Sequence, residues 1–253
     1  MKPEILFLDM ECTPKLSVHW GMRDQNIGYQ DIVKDWNFIC AQWAWNDSKK
    51  INTVSILDDT KRFRKNPNDD YHVVKEIREV IEDADIVVGH NVRSFDIKNI
   101  TAKLIEHKLP PIKDVIIVDT LQLARMHNFT SRKLDALAKK LSLERKLEHD
   151  KFVFMKALFG DEKAIMDIIR YGKGDIAPLR DLYHRLLPHS KNRVPNLNLF
   201  RSKQVQGCPC CASLDFIEDG FRYTKMGAKK RLCCKECGYK FTDKRTEFQV
   251  RYR

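Results

Sequence analysis

FLDMECTP, residues 7–14, decides how the rest of this chain is read. An apolar run ends in two acids, Asp9 and Glu11, and a Thr-Pro pair then stops it. Side chains alternate along a strand, so positions two apart share a face. Asp9 and Glu11 therefore point the same way at the end of a buried segment. Two carboxylates so placed repel and raise each other's pKa unless something positive sits between them.

Downstream, NFICAQWAWN and KKINTVSILDD are rich in β-formers and predict two strands, hairpin-paired through a turn at 46–50. The stretch between Thr13 and Trp36 has no clear period and reads as a long loop with a helical turn. NPNDDYHVVKEIREVIEDAD carries Val73, Val74, Ile77, Val80, Ile81 and Ala84 at helical spacing. A short apolar strand, IVVGHN, follows, then an amphipathic helix in FDIKNITAKLIEHKLPP, stopped by two prolines. DVIIVDT predicts another strand, and SRKLDALAKKLSL a helix with Leu134, Leu137, Ala138 and Leu141 on one face. A helical segment over 161–187 completes an α/β domain built on a mixed sheet flanked by helices. The expected division is a domain over 1–187, a linker over 188–207, and a small metal-binding unit with a basic tail over 208–253.

The chain has 253 residues, enough for one sizeable domain and an appendage. No apolar run approaches the roughly 18 residues needed to span a membrane. MKPEILFLD enters a strand pattern without a leader-like segment, so a soluble, cytoplasmic protein is expected. Net charge is +11 and unevenly placed: residues 201–253 hold 13 Lys/Arg against 6 Asp/Glu, the first 200 hold 33 against 29. That basic end reads as a footprint for a polyanion or as a solubilising tail.

Acids occur in three suggestive places: Asp9 with Glu11, Asp96 after VVGHNVRSF, and Tyr171 with Asp175 in YGKGD. Each has an ordinary structural reading. A lone DxE is commonly a solvated loop, Asp96 suits a helix N-cap, and Tyr171 and Asp175, four apart, are an ordinary pair if the segment is helical. Gly172 and Gly174 weaken a helix there by about 1 kcal/mol each relative to alanine, so a turn is the alternative. Asp119 suits a helix cap, His90 a satisfied strand-end histidine, and Asn91 a loop bonded to its own backbone.

Together, FLDMECTP, NVRSFD and YGKGD resemble, in order, the three motifs of the DEDD superfamily of 3′–5′ exonucleases, in the variant with a tyrosine four residues before the last aspartate (DEDDy). The stretch through HWGMRDQNIG resembles a phage-associated, YprB-like branch that ends in a zinc ribbon. The resemblance spans nearly the whole chain and includes VDTLQLAR and KLDALAKKLSL between the motifs. It implies a ribonuclease H-like fold in which Asp9, Glu11, Asp96 and Asp175 hold two Mg²⁺ or Mn²⁺ ions. These hard cations prefer carboxylate oxygen, and a pair of them serves in-line phosphoryl displacement. Tyr171, a phenol with a reference pKa near 10, suits orienting a water better than taking its proton. Asn91 and Phe95 are implied as nucleic-acid contacts, and a bacterial or phage-infected cell as the setting.

Six of the eight cysteines fall within 208–237. Cys208 with Cys211, and Cys234 with Cys237, form two C-x2-C pairs, a spacing that suits one tetrahedral structural Zn²⁺. Cys210 and Cys233 are alternative ligands or spare thiols. Lys225, Lys229, Lys230 and Arg231 mix with Phe221, Tyr223 and Tyr239, a pattern for neutralising phosphates and stacking on bases. The alternative makes those aromatics the ribbon's core. The expected function is a 3′–5′ exonuclease on single-stranded DNA or RNA ends, DNA favoured. A structure-specific endonuclease and a non-catalytic zinc-ribbon binder are the alternatives.

Overall fold

A computed structural model describes residues 3–21, 25–143, 152–190, 194–201, 205–225 and 227–248, the last five by their backbone. Residues 22–24 of the HWGMRDQNIG stretch and the basic tail beyond 248 lie outside them.

FLDMECTP lies largely in β1 (Ile5–Cys12), the middle strand of a five-stranded sheet. A two-stranded ladder, β2 (Leu16–Ser17) with β3 (Ile32–Lys34), occupies the segment expected to be loop, and the helical turn expected there is a 3-10 turn at Tyr29–Asp31. β4 (Phe38–Trp45) and β5 (Asn52–Ser55) follow as the predicted antiparallel pair. Two helices, α1 (Thr60–Lys65) and α2 (Tyr71–Glu82), lead to β6 (Ile86–Gly89). Then come α3 (Asp96–Glu106), β7 (Ile116–Asp119), α4 (Thr120–Arg125), α5 (Leu134–Lys140), α6 (Phe152–Leu158) and α7 (Glu162–Leu186).

The sheet runs β5-β4-β1-β6-β7. β4 and β1 are antiparallel, whereas β1, β6 and β7 are parallel. The sheet is therefore mixed, as the alternation of strands and helices requires. β4 is buried from Phe38 to Ala44 with no polar-out alternation, because it lies between two strands and is covered on both faces. β1 alternates: Leu6, Leu8 and Met10 enter the core cluster shared with Val73, Val74, Ile77 and Ile81 of α2, and Phe7, Asp9 and Glu11 take the opposite face. Each such fully buried aliphatic side chain contributes about 1.5–3 kcal/mol.

The chain separates into two compact units. One comprises 4–122 and 129–182 and contains the five-stranded sheet. The other comprises 1–3, 123–128 and 183–253, and its centre is an antiparallel sheet of β8 (Phe216–Thr224), β9 (Gly227–Cys234) and β10 (Lys240–Phe248). Among the described residues no helix is long and apolar enough to cross a membrane.

Candidate metal centres

β1 outruns its parallel neighbour. It pairs with β6 only through Phe7, so Asp9 and Glu11 stand where the C-terminal ends of β1 and β6 part. Crevices of that kind are where open α/β sheets place their ligands. On the other side Asp9 is opposite Gln42 and Glu11 opposite Cys40, and a bulge then shifts the register so that Cys12 meets Phe38. Bulges near sites of this kind re-aim the strand end.

α7 brings the third carboxylate. Residues 162–186 form one continuous helix, so Tyr171 and Asp175 share a face, and the turn alternative is excluded. The reason for Gly172 is contact: a Cβ there would lie 2.4 Å from Gln42 Oε1, whereas a Cβ on Gly174 would meet nothing within 4 Å. Helix and sheet approach closely at residue 172, and Asp175 is carried down beside β1. Carboxylate oxygens of Asp9, Glu11 and Asp175 all lie within 4.8 Å of one another. Asp175 is buried, and Asp9 and Glu11 are half-buried.

Asp96, the first residue of α3, is buried next to this triad but is not part of it. Its carboxyl is held well above the usual carboxylate range, first by burial and then by the charge of Asp9; its own backbone N–H and that of Met10 oppose this. Three oxygen-bearing acids within reach of a shared point, and a fourth repelled by them, are a donor set suited to hard divalent cations.

Asp119 does more than cap α4. Its carboxylate accepts from Leu121 N at 3.0 Å, as expected, and also from Asn91 N at 2.9 Å and Arg93 N at 3.3 Å. It thereby fixes the loop that delivers Asp96, in which Asn91 adopts a left-handed φ of 69°. The sequence reading missed this link because it spans 28 residues. The Asn91 carbonyl accepts from Ser94 N and Phe95 N, which closes the same turn. His90 is satisfied at both nitrogens, Nδ1 to Thr120 Oγ1 and Nε2 donating to Arg132 O, each at 2.9 Å. Phe95 is 42% exposed.

Two cavities flank the acids. One, of about 560 Å³, joins Asp9, Tyr171 and Asp175 to His90, Arg132 and Lys133. The other, of about 570 Å³, begins at Glu11 and continues past Cys12, Trp36 and Phe95. Burial first, and then the nearby carboxylates, Asp96 for Cys12 and Glu11 for Cys40, push both thiols far up, so neither is a thiolate.

In the second unit, the Sγ atoms of Cys208, Cys211, Cys234 and Cys237 gather within 4.8 Å of one another. The 208–237 and 211–234 separations are both 3.6 Å, too long for disulfides. A tetrahedron with metal–sulfur bonds of about 2.3 Å has edges of about 3.8 Å. The two loops are alike: Ala212 N donates to Cys208 O and Gly238 N to Cys234 O, with left-handed φ at Ala212 and Gly238. Four thiolates so arranged suit zinc. Cys210 is buried beside the cluster, where its hydrogen bond to Cys208 holds that thiol below the ordinary cysteine range, and Cys233 Sγ lies 3.8 Å from the carbonyls of Cys234 and Gly238. Neither is in the group of four.

The basic and aromatic residues of the ribbon separate by face. Register places Lys230 opposite Phe221 and Lys229 opposite Arg222, so Lys230, Phe221 and Tyr223 share one face, while Lys229 and Arg231 take the other. Lys230 pairs with Glu218 at 2.5 Å and Arg231 with Asp219 at 2.7 Å. Phe221 and Tyr223 are 42% and 76% exposed, Lys225 is exposed at the β8–β9 turn, and Tyr239 is half-buried near the cysteines.

Comparison with known proteins agrees with this architecture. No curated protein matches by sequence. Among solved structures, the family B DNA polymerase from the hyperthermophilic archaeon Pyrobaculum calidifontis superposes with a TM-score of 0.53 at 15% identity, over 74% of this chain and 25% of that one. The chain thus spans about a quarter of that polymerase's length, and the likeness is one of fold. The profile of the RNase_H superfamily matches residues 39–187, which include Asp96, Tyr171 and Asp175; Asp9 and Glu11 precede it on the strand paired with the first strand it covers. On that match, and on a sheet whose central strand and last helix bring their acids together, the chain belongs to the RNase_H superfamily.

Proposed function

We propose that this protein is a metal-dependent nuclease that removes nucleotides from the 3′ ends of single-stranded nucleic acid, DNA in preference to RNA. The observation that carries the reading is the convergence of Asp9, Glu11 and Asp175 at the open end of β1 in an RNase_H superfamily fold. Asp9, Glu11 and Asp175, with Asp96 beside them, are the residues that would hold two Mg²⁺ or Mn²⁺ ions. Such ions, when bound, supply charge neutralisation for an in-line attack at phosphorus. Tyr171, one helical turn before Asp175, orients the attacking water. Arg132 and Lys133, which line the same cavity as Asp9, neutralise the phosphate backbone. His90 and Asp119 keep the loops in register and touch no substrate.

The tyrosine at 171 favours the DEDDy exonucleases, and with them the YprB-like, phage-associated branch and a cytoplasmic setting. Residues 208–253 serve as an auxiliary zinc-bound holding element joined through 188–207. Lys225, Lys229, Lys230 and Arg231 contact phosphates there.

The test is a time course on 5′-labelled single-stranded DNA and RNA of matched sequence, with Mg²⁺, Mn²⁺ or EDTA, beside Asp9→Ala. A metal-dependent ladder shortening from the 3′ end, absent in the variant, is expected. Cleavage of a circular strand would show an endonuclease instead. Wild-type rates in Asp9→Ala would overturn the assignment of the site.

A further inference from the structure

We propose that Lys103 is a positioning residue for the carboxylate centre: it anchors the far end of α3 to the segment paired with the end of β1, and so keeps Asp96 beside Asp9, Glu11 and Asp175. This deepens the nuclease reading and rests on it for the ions.

Asp96 opens α3, and its carboxyl lies in the field of Asp9. Like charges repel, so without cations the helix that carries Asp96 is pushed off β1. Two contacts oppose this near the site. The Met10 N–H bonds the Asp96 carboxyl, and Asp119 ties the loop before the helix. A helix pinned at one end alone swings about that end, so the other end needs an attachment of its own.

Lys103 supplies it. Seven residues after Asp96, it returns to the same face of α3, about 10 Å along the axis. Both residues are buried, and Ile100 and Leu104 of the same stripe belong to the core cluster. Lys103, only 4% exposed, places Nζ 3.0 Å from Asn37 Oδ1, 2.7 Å from Glu106 Oε2 and 3.6 Å from Asp70 Oδ2. The Trp36 ring lies 4.7 Å away, measured to its centroid. Asn37 is in turn bound to the chain that leaves the acids: Thr13 N donates to Asn37 O at 2.8 Å, and Asn37 N to Thr13 Oγ1 at 2.9 Å. Asp70, 1% exposed, accepts from Phe38 N at 3.0 Å and lies 2.6 Å from Nε2 of His107, the residue that follows α3. The helix is thus joined to β1 through Met10 before the bulge, and to its continuation through Asn37 and Thr13 after it. Burying such a network carries a desolvation penalty, and apolar residues of like volume often serve stability as well or better. What an ammonium with its donors aimed at an amide and two carboxylates adds is direction.

The experiment titrates Mn²⁺ into the zinc-loaded full chain without substrate, reading free ion by its EPR signal and folding by thermal unfolding in EDTA. Lys103→Met removes the charge at similar length. Lys103→Met/Asp70→Asn removes the buried pair together and keeps an acceptor for Phe38 N, so the test stands even where the single variant fails to fold. Mn²⁺ should bind about 10- to 100-fold more weakly in both, the range for residues that orient a metal's ligands. In an Asp96→Asn background Lys103 has no carboxylate to position, and the same changes should shift affinity by no more than about twofold. Ile77→Val, a core change on α2, should lower the unfolding temperature and leave Mn²⁺ affinity at the parent value. Parent affinity in the folded Lys103 variants would overturn the anchor. So would an equal loss with and without Asp96, or an equal loss in Ile77→Val. Mn²⁺ binding in the parent no tighter than in Asp9→Ala would instead overturn the metal reading of the acids, and the anchor with it.

Discussion

Alanine at the two glycines of α7 should produce opposite results, although the positions are only two residues apart. Helix propensity alone favours alanine at both by about 1 kcal/mol. At Gly174 nothing opposes it: no atom lies within 4 Å of the new Cβ, and Pro178 already leaves the Gly174 carbonyl without its helical donor. At Gly172 the methyl would sit 2.4, 2.6 and 2.9 Å from Oε1, Cδ and Nε2 of Gln42. A side-chain end can often give way, but Gln42 is 0% exposed and its Nε2 donates to Cys40 Sγ at 3.0 Å. Overpacking of this kind costs about 1–3 kcal/mol, which exceeds the propensity gain over most of its range. Thermal unfolding should therefore show Gly174→Ala raised by about 2–4 °C and Gly172→Ala lowered by up to about 8 °C, at about 2–4 °C per kcal/mol for a chain of this size. Activity adds a second readout. Gln42 faces Asp9 across the β1–β4 ladder. A helix pushed off residue 172 draws Asp175 from the triad, so Gly172→Ala should lose cleavage and Gly174→Ala keep it. Shifts of the same sign in both variants would refute the close-contact account.

Other outcomes follow from the same geometry. Asp96 carries a raised pKa in the fold, so without metal its contribution to stability is fully present below its unfolded value near 3.8 and is lost as pH rises through the folded value. Asp96→Asn should thus unfold at a higher temperature than wild type in EDTA at neutral pH, and the gap should close on acidification; a variant less stable at neutral pH would contradict this. Asp9→Ala or Asp175→Ala should abolish cleavage with folding nearly intact, and Tyr171→Phe should slow it less, all readable from the same ladder assay. Cys234→Ser should release zinc, measured by a colorimetric chelator, and weaken nucleic-acid binding while metal-dependent cleavage of short strands persists.

What the sequence made legible was local. The DxE of β1 and the α7 pair declare themselves by spacing of two and four, and each C-x2-C pair by its own turn. The long-range geometry was not legible. Asp119 reads as a cap because its bond to Leu121 is local, whereas its bonds to Asn91 and Arg93 need the sheet to exist first. Gly172 reads as a helix weakness until Gln42, 130 positions earlier in the chain, is packed against it. The ribbon's Lys229, Lys230 and Arg231 read as one basic run, yet strand alternation divides them between two faces and acids on β8 meet two of them.

The bulge after Glu11 also sets a limit on change. By shifting the register at Cys12 it lets one strand end serve two neighbours, the carboxylate triad and the Trp36 wall. A single-residue deletion just after Glu11 that straightened β1 would leave Asp9 and Glu11 on their face but flip the residues beyond, so that Thr13 lost its exchange of hydrogen bonds with Asn37. The two sides of the bulge are in that sense separable: the acids keep their face whatever happens beyond Cys12, and the pairing with residues 36–38 does not.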